Sequence, residues 1–115
     1  MVGTYEVQIE AFGKTDPDLM SVSAGSADTV LLTFVSSFGK VRSSVIGSTG
    51  LSLPRQKVKV PFPTGAADAQ VTGGGSISAA GEVDVTLVVR VSGFTAPDGG
   101  AGMDSEPYYI TGTRQ

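Results

Sequence analysis

The chain has 115 residues, of which 40% are hydrophobic, a net charge of −3, and neither Cys nor His. This length and hydrophobic content predict one globular domain, residues 1–115, with a single core. The absence of Cys and His excludes disulfides, thiol nucleophiles, imidazole general bases and the commonest metal ligands. The carboxylates are scattered along the sequence, so we expect no enzymatic activity, no cofactor, no metal site and no small-molecule substrate.

The sequence shows no sign of targeting to a membrane. Residues 1–6 hold neither a basic region nor an apolar run, which argues against a secretory signal there. The longest apolar run is far shorter than the roughly 20 residues that a transmembrane helix needs. We therefore expect a soluble protein made in the cytoplasm, without a membrane partner. Sixteen Gly, six Pro and many Ser, Thr and Val favour strands and turns over helices.

The N-terminal part of the sequence predicts two strands. Residues 4–12 alternate well between apolar and polar, which is typical of a half-buried strand. An Asp-Pro pair in residues 14–18 predicts a turn, and a short strand over 19–23 would pair back before a turn at 24–26. The first strand would turn inward Tyr5, Val7, Ile9 and Ala11, and outward Thr4, Glu6, Gln8 and Glu10.

Residues 27–46 are compatible with two structures. Their apolar residues recur at helical spacing, and a capping residue precedes them. Against a helix stand many Thr, Val, Ser and Phe residues and Gly39, which alone costs about 1 kcal/mol relative to Ala in a helix interior. We favour two strands, 29–36 and 41–46, joined through 37–40, and keep one helix as the alternative.

A basic, strictly alternating strand follows. Between Asp28 and Asp68 there is no acidic residue, although five of the eight basic residues lie there. Pro54 is predicted to open the strand, and Pro61 and Pro63 to end it, because proline cannot donate a ladder hydrogen bond. Because successive side chains of a strand point to opposite faces, one face would be basic and the other apolar. These faces are formed by Arg55, Lys57 and Lys59, and by Val58, Val60 and Phe62, respectively.

The remaining sequence combines small-residue stretches with one strong strand. Residues 64–75 are mostly small and predict a flexible connection. The three glycines at 73–75 do not indicate a phosphate-binding loop, because such a loop needs a Lys-Ser/Thr pair and a helix after it, and neither follows here. The strongest strand, 82–91, has a purely apolar face of Val83, Val85, Leu87, Val89 and Val91. Further elements are a short strand at 76–80, a turn at Gly81, a loop at 96–102 and a last strand at 108–113.

The basic strand has two interpretations. Exposed Lys residues blunt edge-to-edge pairing and aid solubility, so the simpler interpretation is a solvated face. Three basic residues on one face, without acids nearby in the sequence, also suit contact with nucleic-acid phosphates, which position the nucleic acid without sequence readout. Outward residues of neighbouring strands would extend this face. The candidate RNA-binding residues are Lys40, Arg42, Arg55, Lys57, Lys59, Thr86 and Arg90.

Three segments carry a resemblance to a known family. They are Arg55-Gln56-Lys57-Val58-Lys59-Val60-Pro61, then Val71-Thr72-Gly73-Gly74, then Val83-Asp84-Val85-Thr86-Leu87-Val88-Val89-Arg90-Val91 followed by Phe94-Thr95-Ala96. In this order they resemble the coat proteins of small single-stranded RNA phages. That family has a Lys/Arg-rich strand ending near Val-x-Val-Pro, and a later long strand of the Asp-Val-Thr-Leu type.

The resemblance implies a structural role. In such coats two subunits join their sheets into one surface that faces the particle interior and binds the genomic RNA, and Lys57, Lys59, Thr86 and Arg90 match positions on that face. The family also ends in two helices that clasp the partner subunit. Residues 95–115 hold two Pro and four Gly and predict no such helices. A helix at 27–46 would be the remaining candidate for one of them.

We therefore predict an all-β or mostly β domain, built on an antiparallel sheet, that assembles with itself. The expected function is a coat subunit that forms homodimers, builds a capsid shell in the virion and encloses RNA. The net charge of −3 counts against strong RNA binding by an isolated subunit. The alternative is a small β-sandwich that binds carbohydrate or another protein. The absence of Trp argues against a surface on which sugars stack.

Overall fold

The computed structural model describes residues 2–62, 65–95, 101–104 and 107–115, and gives the backbone alone for residues 61, 62, 65–67, 90–95 and 101–104. The described residues form strands and turns without any helix, which confirms the all-β antiparallel prediction. The strands are β1 (Gly3–Ala11), β2 (Lys14–Ala24), β3 (Thr29–Phe34), β4 (Lys40–Ile46), β5 (Gly50–Phe62), β6 (Gly65–Ile77), β7 (Glu82–Thr95), β8 (Ala101–Asp104) and β9 (Tyr108–Arg114).

The strands close into a ring. From β1 to β7 each strand pairs antiparallel with the next along the chain, and β9 lies between β7 and β1. The pairing of β6 with β7 closes a cycle of eight strands, and β8 pairs with the far end of β7. Closure matters because it leaves few of the unpaired strand edges through which sheets aggregate.

The segment 27–46 is a hairpin, as favoured from its composition, and the alternative helix is wrong. Strands β3 and β4 pair from Thr29 opposite Ser44 to Thr33 opposite Lys40. The helical spacing of the apolar residues was misleading because several of them are explained by strand alternation, while Phe38 enters the core from the turn. Here β-propensity and Gly39 outweigh the periodicity.

The first hairpin turns earlier than predicted. Ala11 pairs directly with Lys14, so the turn consists of Phe12 and Gly13, both with positive φ of 54° and 71°. Such a pair of values is typical of the two-residue turns that match the twist of a hairpin. The Asp-Pro pair therefore lies inside β2. Pro17 is tolerated there because β3 pairs with β2 only from Met20 onward.

Strand β5 is longer than predicted at its start. It begins at Gly50, and Pro54 lies within it rather than opening it. The ladder with β6 shifts register between Leu53 and Gln56, and this irregularity accommodates the missing N–H of the proline. Pro61 also belongs to the strand, whereas Pro63 lies outside the described residues.

Strand β6 replaces the flexible connection that was predicted for residues 64–75. It pairs with β5 on one side and β7 on the other. A Cβ on Gly73 would lie 2.1 Å from the carbonyl oxygen of Thr86, and one on Gly75 would lie 2.1 Å from that of Asp84. The glycines therefore permit a close approach of two backbones. The predicted strand at 76–80 is only the end of β6, and Gly81 forms the expected turn with a φ of 87°.

The last third of the chain follows the prediction closely. Strand β7 continues to Thr95, beyond the predicted 82–91, and β9 covers the predicted 108–113. The predicted loop at 96–102 falls partly outside the described residues, and its end belongs to β8.

The interior of the ring is one continuous apolar cluster. The predicted inner faces of β1 and β7 are confirmed, since Tyr5, Val7, Ile9, Val83, Val85, Leu87 and Val89 are all buried. Val58 and Val60 are buried as predicted, while the side chains of Phe62 and Val91 lie outside the described part. Phe38, in the β3–β4 turn, packs edge-on against Tyr108 at 5.4 Å between ring centroids and ties that turn to β9.

Candidate nucleic-acid interface

Five basic side chains project outward from two neighbouring strands. We call this set the basic side; it consists of Lys40, Arg42, Arg55, Lys57 and Lys59, all of which are exposed. Strands β3, β4 and β5 contain no Asp or Glu. The sequence predicted this concentration of positive charge, because no acid lies between Asp28 and Asp68. The structure places its five residues on the neighbouring strands β4 and β5.

A register irregularity in β5 decides that the basic side chains after it, Lys57 and Lys59, face outward. Before it, Leu53 points inward from an odd-numbered position; after it, Val58 points inward from an even-numbered one. The ladder with β6 shifts between Leu53 and Gln56. A change of one residue exchanges the two faces of a strand. Without the shift, Lys57 and Lys59 would face the core.

The side chain of Gln56 joins the two basic strands. The regular ladder between β4 and β5 covers only Ser44 to Ile46 on β4. Beyond it, the backbone N–H of Arg42 donates to Oε1 of Gln56 at 2.8 Å, and Nε2 of Gln56 donates to the carbonyl oxygen of Arg42 at 2.7 Å. The amide thus replaces a backbone pair of the ladder. It holds Arg42 beside the outward residues of β5.

The charge of the basic side is partly offset at one end. Lys59 lies directly opposite Asp68 on β6, and Asp68 is exposed. Lys57 instead lies opposite Gln70, which is neutral. Directly opposed side chains of an antiparallel pair are close enough to interact. Lys57 is therefore the less compensated of the two, a difference that the sequence spacing did not predict.

The two remaining candidates on β7 are placed differently. Thr86 is half-buried and lies between Gly74 on β6 and Tyr109 on β9, away from the basic side. The backbone of Arg90 lies opposite Gln70, in the same row as Lys57, but its side chain lies outside the described part. The structure therefore gathers five of the seven candidates and separates Thr86 from them.

The opposite surface of the ring carries acids that the sequence analysis did not group. We call it the acidic side; it consists of the outward residues of β1, β9 and β7. Three rows cross these strands: Glu6, Thr113 and Glu82; Gln8, Thr111 and Asp84; Glu10, Tyr109 and Thr86. The acids come from two distant parts of the chain, residues 6–10 and residues 82–84. The sequence contained one indication of this surface: the acids of β1 and of β7 lie on the predicted outward faces of these strands.

A buried carboxylate also escaped the sequence analysis. Asp18 lies inside β2 and accepts hydrogen bonds from the backbone N–H of Leu19 at 2.8 Å and of Ser36 at 2.9 Å, and from the hydroxyl of Ser37. These contacts tie β2 to the β3–β4 turn. The carboxylate is thus fully engaged in holding a turn. Among the described residues, no three Asp or Glu side chains gather closely enough to hold a metal ion.

Comparison with known proteins leaves the assignment to the geometry. No protein family, curated protein or solved structure matches this chain. In the part of the chain that the structure describes, there is no helix with the length and apolar character needed to cross a membrane.

Proposed function

We propose that this protein is a self-assembling coat subunit that binds RNA through its basic side. The observation that carries the proposal is the exposure of five Lys and Arg side chains on two adjacent strands that contain no acid. Such an array suits the repeating charge of a phosphate backbone, and contacts of this kind need no sequence readout.

The overall charge favours collective rather than individual binding. The chain carries a net charge of −3, so one isolated subunit is a weak RNA ligand. Copies held together in a shell present many basic sides to one RNA molecule, and each further contact then becomes intramolecular. Weak single contacts and tight packaging are therefore compatible. The resemblance to phage coat proteins supports the same role through the basic strand, whereas the closed ring and the absence of a helix among the described residues differ from the joined sheets and clasping helices of that family.

The first test measures phosphate contact. We expect Lys57→Ala to weaken binding to polyuridylic acid and to flatten the dependence of log affinity on log salt, by about 0.7 for each phosphate contact removed. Lys59→Ala should have the smaller effect, because Asp68 opposes Lys59. Lys14→Ala is the matched control, since Lys14 is exposed at the β1–β2 turn, outside the basic side. Unchanged affinity and salt slope in Lys57→Ala would refute RNA binding by this surface.

The second test measures assembly. We expect purified recombinant protein to elute from size-exclusion chromatography as large particles whose absorbance at 260 nm exceeds that of protein alone. Electron microscopy should show uniform particles. A sharp monomer or dimer peak without particles would refute the coat function.

A further inference from the structure

We infer that, without RNA, the basic side of one copy docks on the acidic side of a second copy, and that RNA displaces this contact. The inference rests on the proposed function, because it concerns the same basic residues. It names a partner for them, a second copy of this chain, and a competition that regulates their availability.

The two sides lie on opposite parts of the ring, and β6 separates their nearest strands, β5 and β7. Between β4 and β9 lie β3, β2 and β1 in one direction and β5, β6 and β7 in the other. The same spacing separates β5 from β1. One copy therefore cannot bring its own two sides into contact. A second copy can, with its acidic side on the first copy's basic side.

The charges of the two sides are complementary. The acidic side carries Glu6, Glu10, Glu82 and Asp84, and the basic side carries five Lys and Arg residues. On the acidic side the charges lie on β1 and β7, two strand spacings or about 10 Å apart, with neutral residues of β9 between them. Complementary charge of this kind steers association and sets its orientation.

Exposed apolar residues accompany the charges on both sides. Tyr109 of the acidic side is 47% exposed, and Leu19, which lies next to that side on β2 opposite Glu6, is 40% exposed. Next to the basic side, Ile46 on β4 is 63% exposed, and half-buried Leu31 on β3 lies opposite Arg42. Apolar and aromatic anchors surrounded by charged groups are the usual composition of a protein interface.

The contact would be heterologous, since the two surfaces differ. In a pair of copies, one then keeps a free acidic side and the other a free basic side, so association continues into rings or filaments. Phosphate groups and carboxylates compete for the same Lys and Arg side chains. RNA would therefore take the place of the second copy on the basic side and release the contact.

The test exchanges charges between the two sides. One variant cancels the charge of the acidic side (Glu6→Lys with Asp84→Lys), and the other removes most of the charge of the basic side (Arg42→Glu with Lys57→Glu). Sedimentation of nucleic-acid-free protein at about 50 mM salt should show wild type at about twice the monomer mass or more, and monomer at about 500 mM. Each variant alone should be monomeric. Their equimolar mixture should associate again, because the unchanged basic side of the first variant can dock on the unchanged acidic side of the second.

The outcomes separate this inference from the proposed function. Polyuridylic acid should dissociate the wild-type contact, and the acidic-side variant should bind it at least as tightly as wild type, since its basic side is intact. Wild type that is monomeric at low salt, or a mixture that stays monomeric although both variants fold, overturns the docking inference. Normal RNA binding in that case leaves the proposed function standing. Association that polyuridylic acid does not release also overturns the inference.

Discussion

The basic side and the acidic side stand on the same closed sheet but are assembled from the sequence in different ways. The basic side comes from one stretch of 20 residues, Lys40 to Lys59, on two strands that follow each other. The acidic side joins Glu6 and Glu10 to Glu82 and Asp84 through β9. The comparison teaches that a surface can be local in sequence or can exist only because the ring closes.

The interior behind the two sides is shared. Val60 lies behind the basic side and Leu87 behind the acidic side, and both belong to the same core cluster. A change in the interior should therefore affect both sides, whereas a change on one surface should affect that side alone. The following predictions test this distinction.

The largest effect is expected for Leu87→Ala. Leu87 is fully buried on β7, whose pairing with both β6 and β9 closes the ring. Removing these buried side-chain atoms and leaving a cavity should lower the free energy of unfolding by about 2–5 kcal/mol. Urea denaturation measures this, with half-buried Val88→Ala as control. Equal losses of stability in the two variants would contradict the inside–outside assignment of β7.

A smaller loss of stability is expected for Val60→Ala, about 1–3 kcal/mol. Val60 is fully buried behind the basic side, while its neighbour Lys59 is exposed. Lys59→Ala is therefore the control and should change stability by less than about 0.5 kcal/mol. Thermal or urea unfolding of both variants checks the register of β5. The register would be wrong if Lys59→Ala proved the more damaging change.

Gln56→Ala should act on the basic side alone. It removes both hydrogen bonds to the backbone of Arg42 and should cost about 1 kcal/mol of stability. It should also weaken polyuridylic acid binding, because Arg42 would no longer be held beside β5. The control Gln8→Ala changes the same residue type on the acidic side and should leave that binding unchanged. Equal binding by both variants would mean that the link between β4 and β5 has no role in presenting the basic residues.

The smallest change in stability is expected for the double variant Lys57→Ala with Lys59→Ala. Both side chains are exposed, so unfolding should shift by less than about 0.5 kcal/mol while RNA binding falls. Thermal unfolding and a binding titration on the same sample separate the two effects. A large drop in stability would show that these Lys residues support the fold rather than a ligand.

Strand alternation made much of the fold predictable. The inner and outer faces of β1 and β7, and the inward Val58 and Val60 of β5, follow from a period of two residues that depends only on local backbone geometry. The same periodicity, with the absence of acids between Asp28 and Asp68, was enough to select the basic side. The hairpin in 27–46 also followed from composition.

Other features depended on partners that are distant in the sequence. The small residues of β6 predicted a flexible segment. In the structure, Gly73 and Gly75 are needed because the backbone of β7 approaches them closely. Pro54 looked like a strand opener, and only the shifted ladder between β5 and β6 shows that it lies inside. Local propensity cannot report such contacts, because it contains no information about neighbouring strands.

The sequence by itself determined the all-β class, the alternation of each main strand and the members of the basic side, because each follows from composition or from alternation within one continuous stretch of the chain. The tertiary structure alone decided the closure of the ring, the position of Pro54 inside β5 at a register shift, and the acidic side. These depend on which strands pair and in which register. Register is selected by burial of the whole inner surface at once, since a slip of one residue would turn every apolar side chain of a strand to solvent.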